Sequence, residues 1–431
     1  MKAPRPKAPP ARAPRRWRTP PPLTRGSETL EGMDILREVG GDAGILLWQS
    51  YRNVMLWASS EPEERGKMFS PEAGRKRLAE LLEAQVPAQI VDSLVTVGRM
   101  IGSPGAGHGE AVAEACAAIG TWADREGAQA TALAFRQAAA LSAPMNAAFA
   151  YAVGKLARRR GEAPRAETWF RHAVMIGRQS GDWTSYSQAY ISLGNMLRER
   201  GNLPAAQRMH VKALRAARRK GLRHVQGKAL HELFIIATET GRNDQAEQYA
   251  KQAFKAYGPQ HDLLPTLAHD VAYFWMDQGD FARVIPVFEA LLPHFATPPL
   301  RMTVLSHIAR AAGGTGQRDL FRKSWVEVTR MAKDPDTITV QAGALLELGQ
   351  GAASLGEWDR AEQAAQQALR VAKERGEAKY RMGAEALLEH VQSGRSSQAA
   401  VASQRQPSSG AQAADWLAGE MVRSLEAAVA A

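Results

Sequence analysis

Residues 190–206 read Tyr190-Ile191-Ser192-Leu193-Gly194-Asn195-Met196-Leu197-Arg198-Glu199-Arg200-Gly201-Asn202-Leu203-Pro204-Ala205-Ala206. The run is helical sequence on either side of Gly201, and His210 and Ala213 continue it after the glycine. Gly201 supplies the φ > 0 backbone that ends a first helix. Gly194 and Ala206 carry so little side chain that two antiparallel helices can approach closely there. Each small residue is therefore a contact point between two helices.

Working outward, the same grammar recurs. Gly127, Gly161, Gly201, Gly241, Gly279, Gly316 and Gly356 are spaced by 34, 40, 40, 38, 37 and 40 residues. A regular period in this range, with helical sequence on both sides of each glycine, describes stacked helix–turn–helix units. The frame fits Gly154, Gly161, Ala166, Phe170 and Ala173 ahead of the quoted stretch, and Gly241, Ala246, Ala250 and Ala253 behind it. It fits again at Gly349, Gly356, Ala361, Ala365 and Ala368, and more loosely at Gly120, Gly127, Ala132 and Ala139. Around Gly279 and Gly316 the small positions become Val284 and Phe321, and Pro286 falls inside an expected second helix, which predicts a kink or a late helix start. Periods near 40 require longer helices or longer connections, through segments such as 179–183 and 220–222.

An aromatic residue, Leu-Gly three residues on, a glycine turn, a small residue and a final alanine together resemble the tetratricopeptide repeat. The resemblance covers residues 111–392 and implies an all-α, right-handed superhelical α-solenoid of about seven helix-turn-helix repeats with an N-terminal helical cap. Wide repeats of this kind are similar to those of kinesin light chains, bacterial quorum-peptide receptors and the sensor domains of bacterial transcription regulators, which bind peptides or proteins. The expectation is a non-enzymatic adaptor or sensor that takes an acidic or polar peptide segment in a concave groove. In such repeats the first-helix positions three before, one after and four after the Gly194 position line that groove. Here they are Tyr151, Lys155 and Arg158; Ile191, Asn195 and Arg198; His231, Ile235 and Thr238; and His269, Tyr273 and Met276. In wide-repeat relatives an asparagine at the Asn195 position hydrogen-bonds the backbone of an extended peptide, which suits an amide with both donor and acceptor. Lys155, Arg158 and Arg198 would then meet ligand carboxylates.

Charge is unevenly placed. The formal net charge of +11 divides into +8 in residues 1–25, −6 in 26–154, +13 in 155–228 and −4 in 229–431. Within the basic segment, Arg208, Lys212, Arg215, Arg218, Arg219, Lys220 and Arg223 follow spacings that put much of the run on one stripe of a second helix and the turn after it. This stripe, with the basic tail, supports an alternative reading as a nucleic-acid-associated regulator of transcription or RNA. No aromatic side chain lies within the run, which argues against sequence-specific recognition of single strands.

The flanks differ from the repeats. Residues 1–30 combine Pro, Arg and Lys with few buried-type side chains and are expected to be disordered. Residues 31–110 hold amphipathic stretches at 45–57 and 75–84, with Ser70-Pro71-Glu72 as a helix start, and serve as the expected N-terminal cap. Residues 393–412 read as a Ser/Gln/Gly/Ala linker, and 413–431 as a short amphipathic helix with Leu417, Met421, Leu425 and Val429 four apart beside Trp416. Tethered in this way, that helix could dock back and occupy the groove until a partner displaces it.

The remaining chemistry is sparse. The single cysteine, Cys116, excludes an internal disulfide framework and a cysteine-based zinc site, fits a reducing, cytoplasmic location, and reads as a core thiol. No apolar run is long enough to span a membrane. The glycine-rich stretch 102–109 lacks the Lys-Ser/Thr of a phosphate loop. The ten histidines show no His-Glu-x-x-His spacing, and His231 and His269, the latter followed by Asp270, read as polar groove residues. No cofactor and no catalytic constellation is expected.

Overall fold

A computed structural model describes residues 32–397 and 411–430, and every element longer than a turn among them is helical. They belong to two compact units, residues 1–225 and 226–431. The tail expected at residues 1–30 and most of the linker expected at 393–412 lie outside the described residues.

The first unit opens with α1 (Met33–Glu38), α2 (Gly41–Ser59), α3 (Pro62–Met68), α4 (Pro71–Glu83) and α5 (Ala88–Gly102). Three helical pairs follow: α6 (Gly109–Arg125) with α7 (Gln129–Ser142), α8 (Ala147–Arg159) with α9 (Ala163–Ser180), and α10 (Trp183–Glu199) with α11 (Leu203–Arg219). Ser70 caps α4 as its sequence predicts, its Oγ accepting the Ala73 N–H at 3.2 Å with Pro71 in the first turn. The region ahead of the repeats, the expected cap, is built of five helices. Ile35, Tyr51, Val54, Trp57, Ile90 and Val97 share a single core with Ile119 and Phe135 of the first pair. Glu38 fastens it: its carboxylate accepts the N–H groups of Ala130 and Thr131 at 2.9 and 2.7 Å, capping the otherwise unsatisfied start of α7.

The second unit takes α12 (Arg223–Glu239) from Gln226 onward and α13 (Asn243–Tyr257), then α14 (Leu264–Asp277) with α15 (Phe281–Leu291), α16 (Pro298–Gly314) with α17 (Arg318–Met331), and α18 (Gln341–Ser354) with α19 (Trp358–Arg375). Helices α20 (Ala378–Ser397) and α21 (Ala411–Ala430) complete it. Pro286 lies inside α15, which starts at Phe281 and runs through the proline to Leu291, so the helix start is not delayed. The boundaries of the linker also move, because α20 continues through Ser397 and α21 begins at Ala411.

All seven repeat glycines take φ between 68° and 88°. The wide period comes from helix length, since α9, α10 and α11 have 18, 17 and 17 residues joined by turns as short as Gly181-Asp182. Small residues at the crossings are filled by ring systems. A Cβ on Gly194 would stand 2.4 Å from the His210 ring, and one on Gly154 would stand 2.6 Å from the Phe170 ring.

Helix α21 buries Leu417, Met421 and Leu425 while Val429 stays exposed. It packs against α15 and α14, the His294 Nε2 lies 2.9 Å from the Leu425 carbonyl, and Trp416 meets Phe254 edge-on at 6.2 Å. Phe254 and His294, on and just past second helices, lie outside the groove register. The stripe therefore docks as its spacing suggests, but at a different place from the groove proposed for it.

Helices α16 and α18 approach backbone to backbone: a Cβ on Gly313 would lie 2.3 Å from the Gly351 carbonyl oxygen and 2.6 Å from its Cα. Backbone cannot give way as a side chain can. Gly313→Ala should therefore lower stability by about 1–3 kcal/mol in urea melts, although alanine favours helix by about 1 kcal/mol at an unconstrained position. A stability gain would show that the two helices separate freely.

Candidate functional site

In the first unit, Tyr151, Lys155 and Arg158 follow one another at helical intervals along α8. Two side-chain links tie this face to the neighbouring first helix: the Tyr151 hydroxyl bonds Ser192, and Arg158 forms an ion pair with Glu199. Lys155 and Arg158 lie on α8, and Asn195 and Arg198 on α10, the two helices that these links join. Lys155 is exposed and its Nζ stands 6.0 Å from the Tyr151 ring centroid, while Arg158, Asn195 and Arg198 are partly exposed. Ile191, from the same register, is 7% exposed and packs beneath the surface rather than on it. Sequence alone did not show that Glu199 offsets part of the positive charge.

His210 lies under this surface, fully buried against Gly194, with neither ring nitrogen hydrogen-bonded among the described residues. Burial, with Arg198 nearby, pushes its pKa down to about 3, and burial alone pushes His172 down to about 4.

In the second unit the same register is a polar network. His231 Nε2 stands 2.9 Å from one carboxylate oxygen of Asp270, and His269 Nδ1 stands 3.2 Å from the other. Burial pushes the Asp270 carboxyl up, but the bonds to His231 and His269 together outweigh it and hold the group well below the usual carboxylate range. The His269 and Tyr273 rings lie 5.2 and 5.0 Å from the His307 ring. Arg310 bridges Asp277 and Glu347 at 3.1 Å each. His231 and Met276 are 8% and 0% exposed, so in this unit His269, Tyr273, Ile235 and Thr238 are the register residues that keep side-chain surface. Among the described residues, no group of three or more His, Cys, Asp or Glu could hold a metal ion.

The basic run is exposed throughout: Arg208, Lys212, Arg215, Arg218 and Arg219 on α11, Lys220 at its end, and Arg223 at the start of α12. What sequence reading missed is the helix beside it. Trp183, Tyr186 and Tyr190 of α10 form a continuous aromatic strip, with ring centroids 5.3 and 4.9 Å apart in edge-to-face contact. Lys220 Nζ stands 4.9 Å from the Trp183 ring centroid and Lys212 Nζ 5.4 Å from that of Tyr190. Burial, then the neighbouring Tyr186, push the Tyr190 pKa up to about 12 against the opposing fields of Arg178 and Arg171 on α9. The three- and four-residue spacing of the rings was legible; their pairing with lysines twenty or more residues later was not.

Residues 146–219 match a family model described as tetratricopeptide repeat, and residues 344–379 match a second with the same description. Similar folds include a structure of Pseudomonas aeruginosa pilF, at 15% identity over 55% of this chain and 99% of that one, with a TM-score of 0.43. A Rap protein complexed with competence and sporulation factor matches at 11% identity over 78% and 99%, with a TM-score of 0.43. Yeast Tom70 matches at 13% identity over 83% and 66%, with a TM-score of 0.40. No curated protein matches the sequence.

Two measurements bear on this core. His172 and His210 are neutral in the native chain, so between pH 6.5 and about 4 the unfolded chain binds protons that the folded one does not. Stability should therefore fall with decreasing pH across that window, by at most about 1.4 kcal/mol per pH unit for each histidine. His210→Leu should flatten the slope; an unchanged slope would place the lost protons elsewhere. Burial pushes the Cys116 thiol up to about 12, so a disulfide-exchange reagent should label it only after denaturation.

Proposed function

Because this chain is a tetratricopeptide-repeat protein, we propose that it is a binding module that captures an extended, acidic peptide segment on the first-helix face of α8 and α10. Stacked repeats present long surfaces for partners. The observation that carries the reading is the joining of α8, which bears Lys155 and Arg158, to α10, which bears Asn195 and Arg198, through the Arg158–Glu199 ion pair and the Tyr151–Ser192 bond.

The chemistry of capture divides between these groups. An asparagine amide both donates and accepts, and so matches the alternating N–H and C=O of an extended backbone. The guanidinium of Arg198 can take a carboxylate with two parallel hydrogen bonds, and the Lys155 ammonium adds a mobile point charge. Glu199, holding Arg158, competes with an incoming carboxylate for the same cation. A peptide acid that displaces Glu199 inherits the pair, while one that does not is repelled by it. The surface would therefore select the position of negative charge along the peptide as well as its presence.

Selection of a random nine-residue peptide library on the full chain should enrich Asp- and Glu-rich sequences. Arg198→Glu should weaken a selected peptide at least about tenfold, about 1.4 kcal/mol, whereas Glu199→Gln should tighten it by releasing Arg158. Selected peptides without acidic enrichment, or affinity unchanged in both variants, would remove the assignment.

A further inference from the structure

The aromatic strip of α10 serves no part of the peptide reading, and its setting differs from that of a core. Trp183, Tyr186 and Tyr190 are each only partly buried, and the cations beside them come from both neighbouring second helices: Arg171 and Arg178 from α9, Lys212 from the middle of α11 and Lys220 from its end. Arg208, Lys212, Arg215 and Arg219 lie within one exposed stripe along α11.

Charge complementarity identifies the kind of ligand. Residues 155–228 contain four carboxylates, Glu162, Glu167, Asp182 and Glu199. Glu162 pairs with Arg160 and Arg165, Glu167 with Arg171 and Arg200, and Glu199 with Arg158. Asp182 accepts the Ser185 N–H at 3.0 Å as the cap of α10. These acids are thus engaged by other groups, and the strip stands in a strongly positive field.

We propose that this strip, with the α11 stripe beside it, binds single-stranded nucleic acid: bases stack on Trp183, Tyr186 and Tyr190 while Lys212, Lys220 and the stripe arginines take the phosphates. Stacking rings flanked by cations are what an unpaired strand requires, because every base offers a π face and every linkage a negative charge. A duplex hides its base faces and can engage only the cations. The lysines over the rings are exposed and flexible, so they can swing from ring to phosphate as a base arrives. An acidic peptide would satisfy the cations and leave the rings unused.

Fluorescence anisotropy of a labelled ten-residue oligouridylate with the full chain tests this. Wild type should bind, with affinity falling linearly on a log–log plot against salt. Tyr186→Ala and Tyr190→Leu should each weaken binding about 5- to 150-fold. Tyr190→Phe should keep wild-type affinity, and equal melting temperatures across the set would separate lost stacking from lost folding. The basic residues 1–25 are identical in every variant, so the differences report the strip alone. Equal affinity for a duplex of the same length, binding that survives both ring substitutions, or a polyglutamate peptide whose binding depends equally on the rings would each overturn the proposal.

Discussion

The close approach of antiparallel helices at residues with little or no side chain is the constraint on which both units depend. Gly154 and Gly194 admit the rings of Phe170 and His210, and Gly313 and Gly351 bring two helix backbones into contact. A helix pair that meets this closely excludes water along its seam and turns alanine, a weak contributor alone, into an effective core residue. The buried Ala166, Ala173, Ala206, Ala213, Ala361 and Ala368 are the result. The turn glycines then set where each helix ends, since their positive φ is a region that side chains with a Cβ occupy at a cost.

From that packing follows a division of labour within α10. One face is spent on contact with α11, where Gly194 and His210 interlock. A second bears Ser192 and Glu199, which reach Tyr151 and Arg158 of α8. A third, bearing Trp183, Tyr186 and Tyr190, lies beside cations from α9 and α11. A single 17-residue helix can present three chemically distinct faces because neighbours three and four residues apart align on the same side. The buried histidine between them links stability to acidity.

The two units treat the same register differently. In the first, Lys155, Arg158, Asn195 and Arg198 keep side-chain surface, and all but Asn195 carry positive charge. In the second, His231, Asp270 and His269 engage one another, and Arg310 lies between Asp277 and Glu347. Charges paired in this way largely cancel one another and leave little net field at that register.

Sequence by itself determined the all-helical class, the seven turns from Gly127 to Gly356, the small residues at the crossings, the Ser70 cap and the amphipathic stripe of α21. These are local matters of propensity, periodicity and φ, written within a few residues of where they act. Tertiary structure alone decided that Ile191, His231 and Met276 are buried, that Glu199 holds Arg158, that α21 settles against α15, and that three rings of α10 join the basic stripe of α11. Each of these depends on which side chains of separate helices face one another, and a one-dimensional pattern gives the face of a helix but not the neighbour that meets it.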